Sequence, residues 1–207
     1  MNIKSLSAVL IMLAAFTIMA ACGMRDRQAG DFTAAELAMI HESDSIMRVL
    51  TIDAPSDLAV LRSLSYDLSD SALLSDDFKR LAELMVATVT HPSQDGVGIA
   101  GPQVGLNRRI VAVQRFDKEG EPFEVYPNVR IVWASDSLVA GPEGCLSVPD
   151  RNGDVLRSRE IVIEYADVNR LDEEDCMVRE TVYGFTAVIF QHEVDHLDGV
   201  LYIDRLR

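Results

Sequence analysis

The chain is short of positive charge and of aromatic residues. Its 207 residues include 19 lysines and arginines against 33 aspartates and glutamates, a formal net charge of −14, and only 6% are aromatic. An acidic surface repels nucleic acid and anionic lipid headgroups, so we expect no nucleic-acid partner. The 48% share of hydrophobic residues is still sufficient for the packed core of one domain.

Cysteine is also scarce, with only Cys22, Cys145 and Cys176 present. Cys22 and Cys145 each lie in a distinct motif, and Cys176 is interpreted as a small buried apolar residue. An exported chain could pair two cysteines, but three in this arrangement do not predict a disulfide framework.

Long apolar runs are absent apart from one at the N-terminus. Lys4 precedes an uncharged run over residues 6–21, which is typical of an export signal. The run ends in Met19-Ala20-Ala21-Cys22, which resembles a lipoprotein signal-peptidase site with Cys22 as the lipidated residue. A plain membrane anchor and an ordinary secretory signal are the alternatives. We expect a signal peptide over residues 1–21 and an exported lipoprotein of the cell envelope, held to a membrane by its N-terminal lipid.

Residues 22–46 are predicted to be a tether and an N-terminal helical arm, and residues 47–207 a single catalytic domain. The arm helix would begin at Asp31 or Thr33. A second helix has Ser75 as its candidate N-cap, and its apolar residues recur at the spacing of one buried face.

Runs rich in valine, isoleucine and tyrosine over residues 109–114, 122–133, 160–167 and 176–183 indicate strands. Residues 150–154 (Asp150-Arg151-Asn152-Gly153-Asp154) have the composition of a turn, and a last helix is predicted over residues 184–197. Strands in the middle of the chain with helices toward each end predict an α+β fold, rather than alternating βαβ units.

The strongest chemical signal is His192-Glu193-Val194-Asp195-His196. Histidines at positions i and i+4 share one face of a helix and can bind one metal ion, and Glu193 between them is placed to transfer protons. The preceding apolar residues Phe185, Val188 and Ile189 fall on the same face, which predicts that the histidines point inward. The alternative is a chance motif whose histidines cap the helix or pair with carboxylates.

A third ligand decides the class of the site, because a catalytic metal site keeps one position open. Some zinc proteases have a third histidine downstream, but Tyr202 stands at that position here. Cys145, in Glu143-Gly144-Cys145-Leu146-Ser147, is the better candidate, since its thiolate would complete a Cys-His-His set. Taken alone, Cys145 is better explained as a structural residue, and only its occurrence together with the histidine motif reverses that preference.

The motifs over residues 143–147 and 192–196, together with the glycine-rich segment over residues 96–103, resemble the three motifs of peptide deformylases in their order. The resemblance extends over about residues 47–206. It implies an α+β domain with mixed and antiparallel sheets around a central helix that carries the histidines. It also implies hydrolysis of the N-formyl group from N-formylmethionyl peptides. One divalent metal ion would be held by Cys145, His192 and His196: Fe²⁺ first, with Zn²⁺ or Ni²⁺ as alternatives.

The same resemblance implies catalytic roles for three further groups. Glu193 would be the general acid and base. Gln103 and the backbone N–H of Leu146 would stabilise the negative charge that develops on the formyl oxygen. Gly101 stands where the family usually has alanine, which we expect to loosen the loop without abolishing activity.

Substrate contacts and supporting residues follow from the resemblance as well. The segment Gly98-Ile99 would pair with the peptide like an added strand, and the full predicted set of substrate-binding residues is Val97, Gly98, Ile99 and Gly144. Asp95 and Arg157 would form a buried pair that supports the site. A solvent-exposed ion pair of little energetic consequence is the alternative.

The predicted chemistry and the predicted location disagree, because deformylation normally acts on nascent chains in the cytosol. An exported deformylase that binds formylated peptides is our first hypothesis. A metallo-amidohydrolase or peptidase with the same ligands is the second, and a non-catalytic formyl-peptide-binding lipoprotein is the third. The sequence does not determine the native metal, the physiological substrate or the oligomeric state.

Overall fold

The computed structural model describes residues 29–171 and 176–207. The predicted signal peptide, the first seven residues of the tether and the lipidation site Cys22 therefore lie outside the described residues. Within the two described ranges, no helix is long and apolar enough to cross a membrane.

Helices and strands alternate irregularly along the described residues. The α-helices are α1 (Ala34–Glu42), α2 (Pro55–Leu61), α3 (Asp70–Leu73), α4 (Asp76–Val89) and α5 (Gly184–Leu197). The strands are β1 (Ala29–Gly30), β2 (Asp67–Leu68), β3 (Gly98–Ala100), β4 (Ile110–Gln114), β5 (Phe123–Pro127), β6 (Arg130–Ala134), β7 (Leu138–Cys145), β8 (Val148–Ser158), β9 (Glu160–Ala166) and β10 (Met177–Tyr183).

The N-terminal arm is anchored on the domain by backbone pairing and by one ion pair. Thr33 caps α1 with a complete capping box to Glu36, which agrees with one of the two predicted starts. Residue Ala29 of β1 pairs in parallel with Asp67 of β2. Glu36 also accepts a hydrogen bond of 2.7 Å from the buried Arg108, so the arm is fixed at both its strand and its helix.

Helix α4 forms because a cap and an apolar face coincide. Ser75 accepts a hydrogen bond of 3.1 Å from the backbone N–H of Phe78, as the sequence predicts. The face formed by Phe78, Leu81 and Met85 is buried against the interior side chains of β3 and β4, Ile99 among them. Burying such side chains contributes roughly 1.5–3 kcal/mol each.

Three antiparallel sheets surround α5. Their strand orders are β3-β4-β5, β10-β9-β6 and β7-β8, while β1 and β2 form a separate parallel pair. Residues Ile189, Phe190, Val194 and Leu197 of α5 pack in one core with apolar residues of β4, β9 and β10. The predicted α+β class with a central histidine-bearing helix is confirmed. Strand β3 pairs only with β4 and is therefore an edge strand.

Two strand predictions need correction. The run over residues 122–133 is divided into β5 and β6 by a turn at Asn128, which has φ of 55° and whose side chain binds the backbone of Leu68. Residues 150–154, predicted to form a turn, belong to β8, and Asn152 pairs with Gly144 of β7. Pairing within the β7-β8 hairpin outweighs the turn propensity of residues 150–154.

Candidate metal centre and substrate pocket

The last residue of β7 and two turns of α5 bring Cys145, His192 and His196 together. Their ligand atoms all lie within 4.8 Å of one another. The Sγ atom of Cys145 is 3.2 Å from Nε2 of His196, and the two imidazole rings lie 5.1 Å apart at 72°. The structure thus places the three predicted ligands around one point, with one thiolate and two imidazoles available to it.

The charges around this point suit a cation. The carboxylate of Glu143 accepts a hydrogen bond of 2.8 Å from Nδ1 of His192, which leaves Nε2 of that histidine for the centre. Burial lowers the pKa of His192, but hydrogen bonds with Cys145 and Glu143 outweigh this and raise the pKa to about 10. Burial holds the pKa of His196 well below its usual value, so its imidazole is neutral. The neutral imidazole of His196 is available as a ligand, and the raised pKa of His192 shows that the site favours positive charge. Both properties suit the binding of a divalent metal ion.

A buried ion network lies behind the histidines. Arg157 donates to both oxygens of Glu143, at 2.7 and 2.9 Å, and to Asp195 at 2.6 Å. Burial raises the pKa of Glu143, but hydrogen bonds from Arg157 and His192 outweigh that effect and lower the pKa to about 2. Asp195 also accepts two hydrogen bonds from Arg205, at 2.5 and 2.7 Å. An unbroken chain of contacts thus runs from Arg205 to the ligand His192.

The predicted pair of Asp95 and Arg157 is wrong in one of its members. Arg157 is buried and supports the site, but its partners are Glu143 and Asp195. Asp95 is exposed, has φ of 49° and lies at the mouth of the pocket. The two partners of Arg157 lie on β7 and α5, on either side of the guanidinium, whereas Asp95 belongs to the loop before β3.

Glu193 is buried with one free oxygen. Its side chain points to β3, where a Cβ on Gly98 would lie 2.5 Å from Oε1, so a larger residue at this position would displace the carboxylate. Among the described residues, Oε2 has no hydrogen-bond partner. Burial raises the pKa of Glu193 to about 7. A carboxylate with a free oxygen and a pKa near neutrality is suited to accept and return a proton.

Gln103 is held in one orientation by its neighbours. Its Oε1 accepts a hydrogen bond of 2.9 Å from the backbone N–H of Ala100, so its amide nitrogen points toward the centre. That nitrogen lies 3.2 Å from Oγ of Ser147 and 3.5 Å from Sγ of Cys145. Leu146, between these two residues, places its backbone at the same edge of the site. A fixed donor therefore stands next to the predicted ligands.

A pocket of about 380 Å³ opens onto Cys145, His192 and Glu193. Val97, Gly98 and Gly144 line it, as predicted for substrate-binding residues, whereas the side chain of Ile99 is fully buried in the core and leaves only its backbone for a peptide. Among the described residues that line the pocket are Phe185, Val188 and Ile189 of α5. Phe185 is 56% exposed, yet it lines the same pocket as His192, so the predicted shared face of α5 is confirmed.

Gly101 does not loosen the loop as expected. A Cβ at this position would lie 2.6 Å from the carbonyl oxygen of Arg108 and 2.8 Å from that of Leu106. Backbone atoms cannot move aside easily, so the loop is tight because residue 101 has no side chain. The departure from the family pattern is accommodated by close backbone packing.

Comparison with known proteins agrees with this geometry. Residues 46–207 match the family model described as polypeptide deformylase. The peptide deformylase of Leptospira biflexa serovar Patoc is 37% identical over 170 residues, which cover 79% of this chain and 89% of that protein.

The chain belongs to the polypeptide deformylase family. Among solved structures, a Met-Ala-Ser-bound class I type b deformylase from Acinetobacter baumannii superposes with a TM-score of 0.67 at 32% identity, over 78% of this chain and 98% of that chain. The deformylase of Thermotoga maritima gives a TM-score of 0.67 at 30% identity, over 79% of this chain and 99% of that chain. The protein is a metal-dependent deformylase, an enzyme that hydrolyses the N-formyl group of formylated peptides.

Sequence reasoning missed several residues of this deformylase site. Glu143 and Asp195 lie inside the two ligand motifs, next to recognised ligands, and only their acidic character signalled a role. Arg205 and Ser147 carry no comparable signal, because their contacts depend on how the C-terminal turn and the loop after Cys145 fold back.

Proposed function

We propose that this deformylase uses Cys145, His192 and His196 as its metal ligands and acts outside the cytoplasm. The observation that carries the proposal is the convergence of the three ligand atoms beside the buried, unpartnered Oε2 of Glu193. The thiolate and two imidazoles suit Fe²⁺, Zn²⁺ and Ni²⁺, and we propose Fe²⁺ as the native ion by analogy with the family. When bound, such an ion supplies Lewis acidity, which polarises the formyl carbonyl and lowers the pKa of water.

Groups of the protein itself perform the proton transfer and stabilise the developing negative charge. Glu193 takes a proton from the attacking water on Oε2 and returns it to the amide nitrogen as the C–N bond breaks. Gln103 and the backbone N–H of Leu146 donate to the oxygen that becomes negatively charged. The products are formate and a peptide with a free amino group, so each proton that Glu193 accepts is released in the same cycle.

The peptide would lie along β3. As an edge strand, β3 has an open side to which the backbone of Gly98 points, where an extended substrate would pair with the Gly98-Ile99 segment, and the pocket receives its first side chain. The apolar side chains of Val97, Val188 and Ile189 suit methionine. N-formylmethionyl peptides are therefore the proposed substrates.

An extracytoplasmic location is proposed from the N-terminal residues. The apolar run over residues 6–21 and the Met19-Ala20-Ala21-Cys22 site support export and lipidation at Cys22. Lipid at this cysteine would hold the enzyme to a membrane of the cell envelope. Its substrates there would be formylated signal-peptide fragments or secreted formyl peptides.

Formate release distinguishes this function from the other hypotheses. The full chain, loaded with Fe²⁺ under anaerobic conditions, is assayed with formyl-Met-Ala-Ser, while mass spectrometry follows cleavage of the peptide bonds. We expect formate and intact Met-Ala-Ser, with loss of activity after chelation. Cleaved peptide bonds without formate would identify a peptidase, and tight binding without any product would identify a binding protein.

Secretion and lipidation need a separate test. Mass spectrometry of the N-terminus after expression in a bacterial host should show a diacylglyceryl group on Cys22, and Cys22→Ser should abolish it. An N-terminus that still begins at Met1 would refute the lipoprotein assignment and leave the deformylase chemistry unaffected.

A further inference from the structure

Four large apolar side chains lie exposed around the start of β9. They are 42% to 56% exposed, comprise Val132, Trp133, Leu138 and Tyr183, and are called the aromatic patch. Single exposed apolar residues are common on soluble proteins, whereas clusters of them mark interaction surfaces. The backbone pairing places two of these residues on one face of a sheet and the other two on the adjoining chain segments.

Trp133 and Tyr183 lie on one face of the β10-β9-β6 sheet. Trp133 pairs with Val162, and Tyr183 pairs with Glu160, two residues earlier on the central strand. Alternate residues of a strand point to the same face, so both aromatic rings project from the face that also carries Val162. A bulge between Ile131 and Trp133 leaves Val132 unpaired and exposed beside them.

Leu138 closes the aromatic patch from the neighbouring hairpin. It pairs with Ser158, and its carbonyl accepts a hydrogen bond of 3.2 Å from Nε of Arg159, the residue that joins β8 to β9. Arg159 is exposed and forms no ion pair within the described parts of the chain. The patch thus combines two amphipathic aromatic residues and two aliphatic residues with one cationic side chain at its rim, and Glu160 lies on the same face of the sheet as the two aromatic rings.

The N-terminal arm enters the domain close to this patch. Ala29 pairs with Asp67, whose carboxylate binds Arg130 at 2.7 Å, and Trp133 lies three residues farther along β6. Three residues of a strand span roughly 10 Å. The seven residues from Cys22 to Ala29 reach at most roughly 25 Å when extended. A lipid on Cys22 is therefore within reach of the plane of the aromatic patch.

We propose that the aromatic patch rests on the surface of a zwitterionic lipid bilayer when the enzyme is anchored through Cys22. The inference rests on the lipid anchor proposed above. Tryptophan and tyrosine favour the membrane–water interface, and the long stem of Arg159 can extend its charge to the headgroups. The net charge of −14 opposes anionic lipids.

This orientation defines a substrate class. Phe185 follows Tyr183 by two residues, is exposed, and lines the substrate pocket. The backbone N–H of Gly184, between them, donates to the carbonyl of Arg159 at 2.9 Å. Docking of the patch places the rim of the pocket near the lipid headgroups, where the enzyme meets formylated peptides that are themselves bound to the membrane.

Trp133 is the only tryptophan of the chain, so its fluorescence reports directly on the patch. The full chain is reconstituted into phosphatidylcholine vesicles whose acyl chains carry bromine near the headgroup, and its N-terminal lipid is checked by mass spectrometry. We expect at least twofold quenching of Trp133 relative to unbrominated vesicles, and protection from aqueous acrylamide.

Matched variants test whether the patch causes the quenching. Leu138→Ser should reduce it by at least half, and Tyr183→Ser should have a similar effect. Leu64→Ser is the control, because Leu64 is an equally suitable exposed leucine, at 62% exposure, outside the patch. All three positions are exposed at the surface, so the substitutions leave the core intact.

The outcomes separate this inference from the anchor itself. An unquenched Trp133 in protein whose lipid is confirmed would overturn the docking surface and leave the anchor standing. If mass spectrometry finds no lipid, the anchor fails, but the docking surface can still be tested at high vesicle concentration. Quenching of Trp133 would then support docking, and its absence would refute docking. A concentration-dependent blue shift of Trp133 without vesicles would assign the patch to a second copy of the chain and also refute docking.

Discussion

Two buried arginines of this deformylase have similar surroundings but different roles. Arg115 is bound by Asp117, Glu124 and Glu180, and Arg157 by Glu143 and Asp195. Their side chains are only 1% and 4% exposed, respectively. Each guanidinium compensates its burial with paired carboxylates, as a buried charge requires.

The two networks differ in the exposure of their carboxylates and in the residues that they connect. The carboxylates around Arg115 are 25% to 34% exposed and reach solvent, and the cluster ends with Lys118 and Tyr126. Those around Arg157 are 7% and 12% exposed, and Glu143 accepts a hydrogen bond from the ligand His192. The first network joins the loop after β4 to β5 and β10, whereas the second sets the position of a metal ligand.

Arg157→Leu should have the largest effect of the substitutions that test this comparison. It leaves Glu143 and Asp195 buried without their shared cation, which costs about 3–5 kcal/mol of unfolding free energy. Metal affinity should fall as well, because Glu143 loses the partner that orients it toward His192. Chemical denaturation and competition with a chelator measure the two effects. A variant that is destabilised but binds metal normally would show that Arg157 does not support the metal centre.

Arg115→Leu is the matched substitution in the other network. Its carboxylate partners can turn toward water, so we expect a smaller loss of about 2–3 kcal/mol. Metal affinity should be unchanged, because none of the hydrogen-bond partners of Arg115 among the described residues binds a metal ligand. A metal affinity that falls as far as in Arg157→Leu would show that the two networks are not functionally distinct.

Glu143→Gln isolates the charge beside His192 from the shape of the side chain. The amide retains one acceptor oxygen but loses the negative charge that Nδ1 of His192 and Arg157 both contact. Loss of such a partner typically lowers metal affinity 10- to 100-fold, or about 1.4–2.7 kcal/mol. Isothermal titration with Zn²⁺ measures the change. Unaltered affinity would mean that the hydrogen bond, without the charge, is sufficient.

Arg205→Leu should have the smallest effect. Its side chain is 46% exposed, and Asp195 keeps its contact with Arg157 when Arg205 is lost. We expect a change in stability below about 1 kcal/mol. Because the contact chain reaches His192, the visible spectrum of the Co²⁺-substituted protein should shift slightly, whereas Arg207→Leu should leave it unchanged. Identical spectra for both variants would show that Arg205 does not influence the metal centre through Asp195.

The sequence predicts the elements whose signals are local. Ser75 and the apolar face after it define α4, and the spacing of His192 and His196 defines the functional face of α5. Cys145 could be chosen as third ligand because its motif and the histidine motif occur in one chain. These predictions require only residue spacing along a helix or a short motif.

The remaining features depend on contacts that each segment makes with other parts of the chain. Residues 150–154 have the composition of a turn, yet they pair with β7 across a hairpin. The partner of Arg157 could not be read from charge patterns, because Asp95, Glu143 and Asp195 are all acidic and only the fold selects among them. Phe185 has the period of a buried residue, but the substrate pocket opens at its position.

The most direct test of the proposed mechanism measures bound metal and formate release together in Glu193→Gln. The amide preserves the size of the side chain and cannot carry a proton between water and the leaving amine. We predict about one metal ion per chain, as in the unaltered protein, with formate release from formyl-Met-Ala-Ser reduced at least ~100-fold. Formate release near the original rate in the metal-loaded variant would contradict the role of Glu193 and, with it, the mechanism that the geometry of the centre supports.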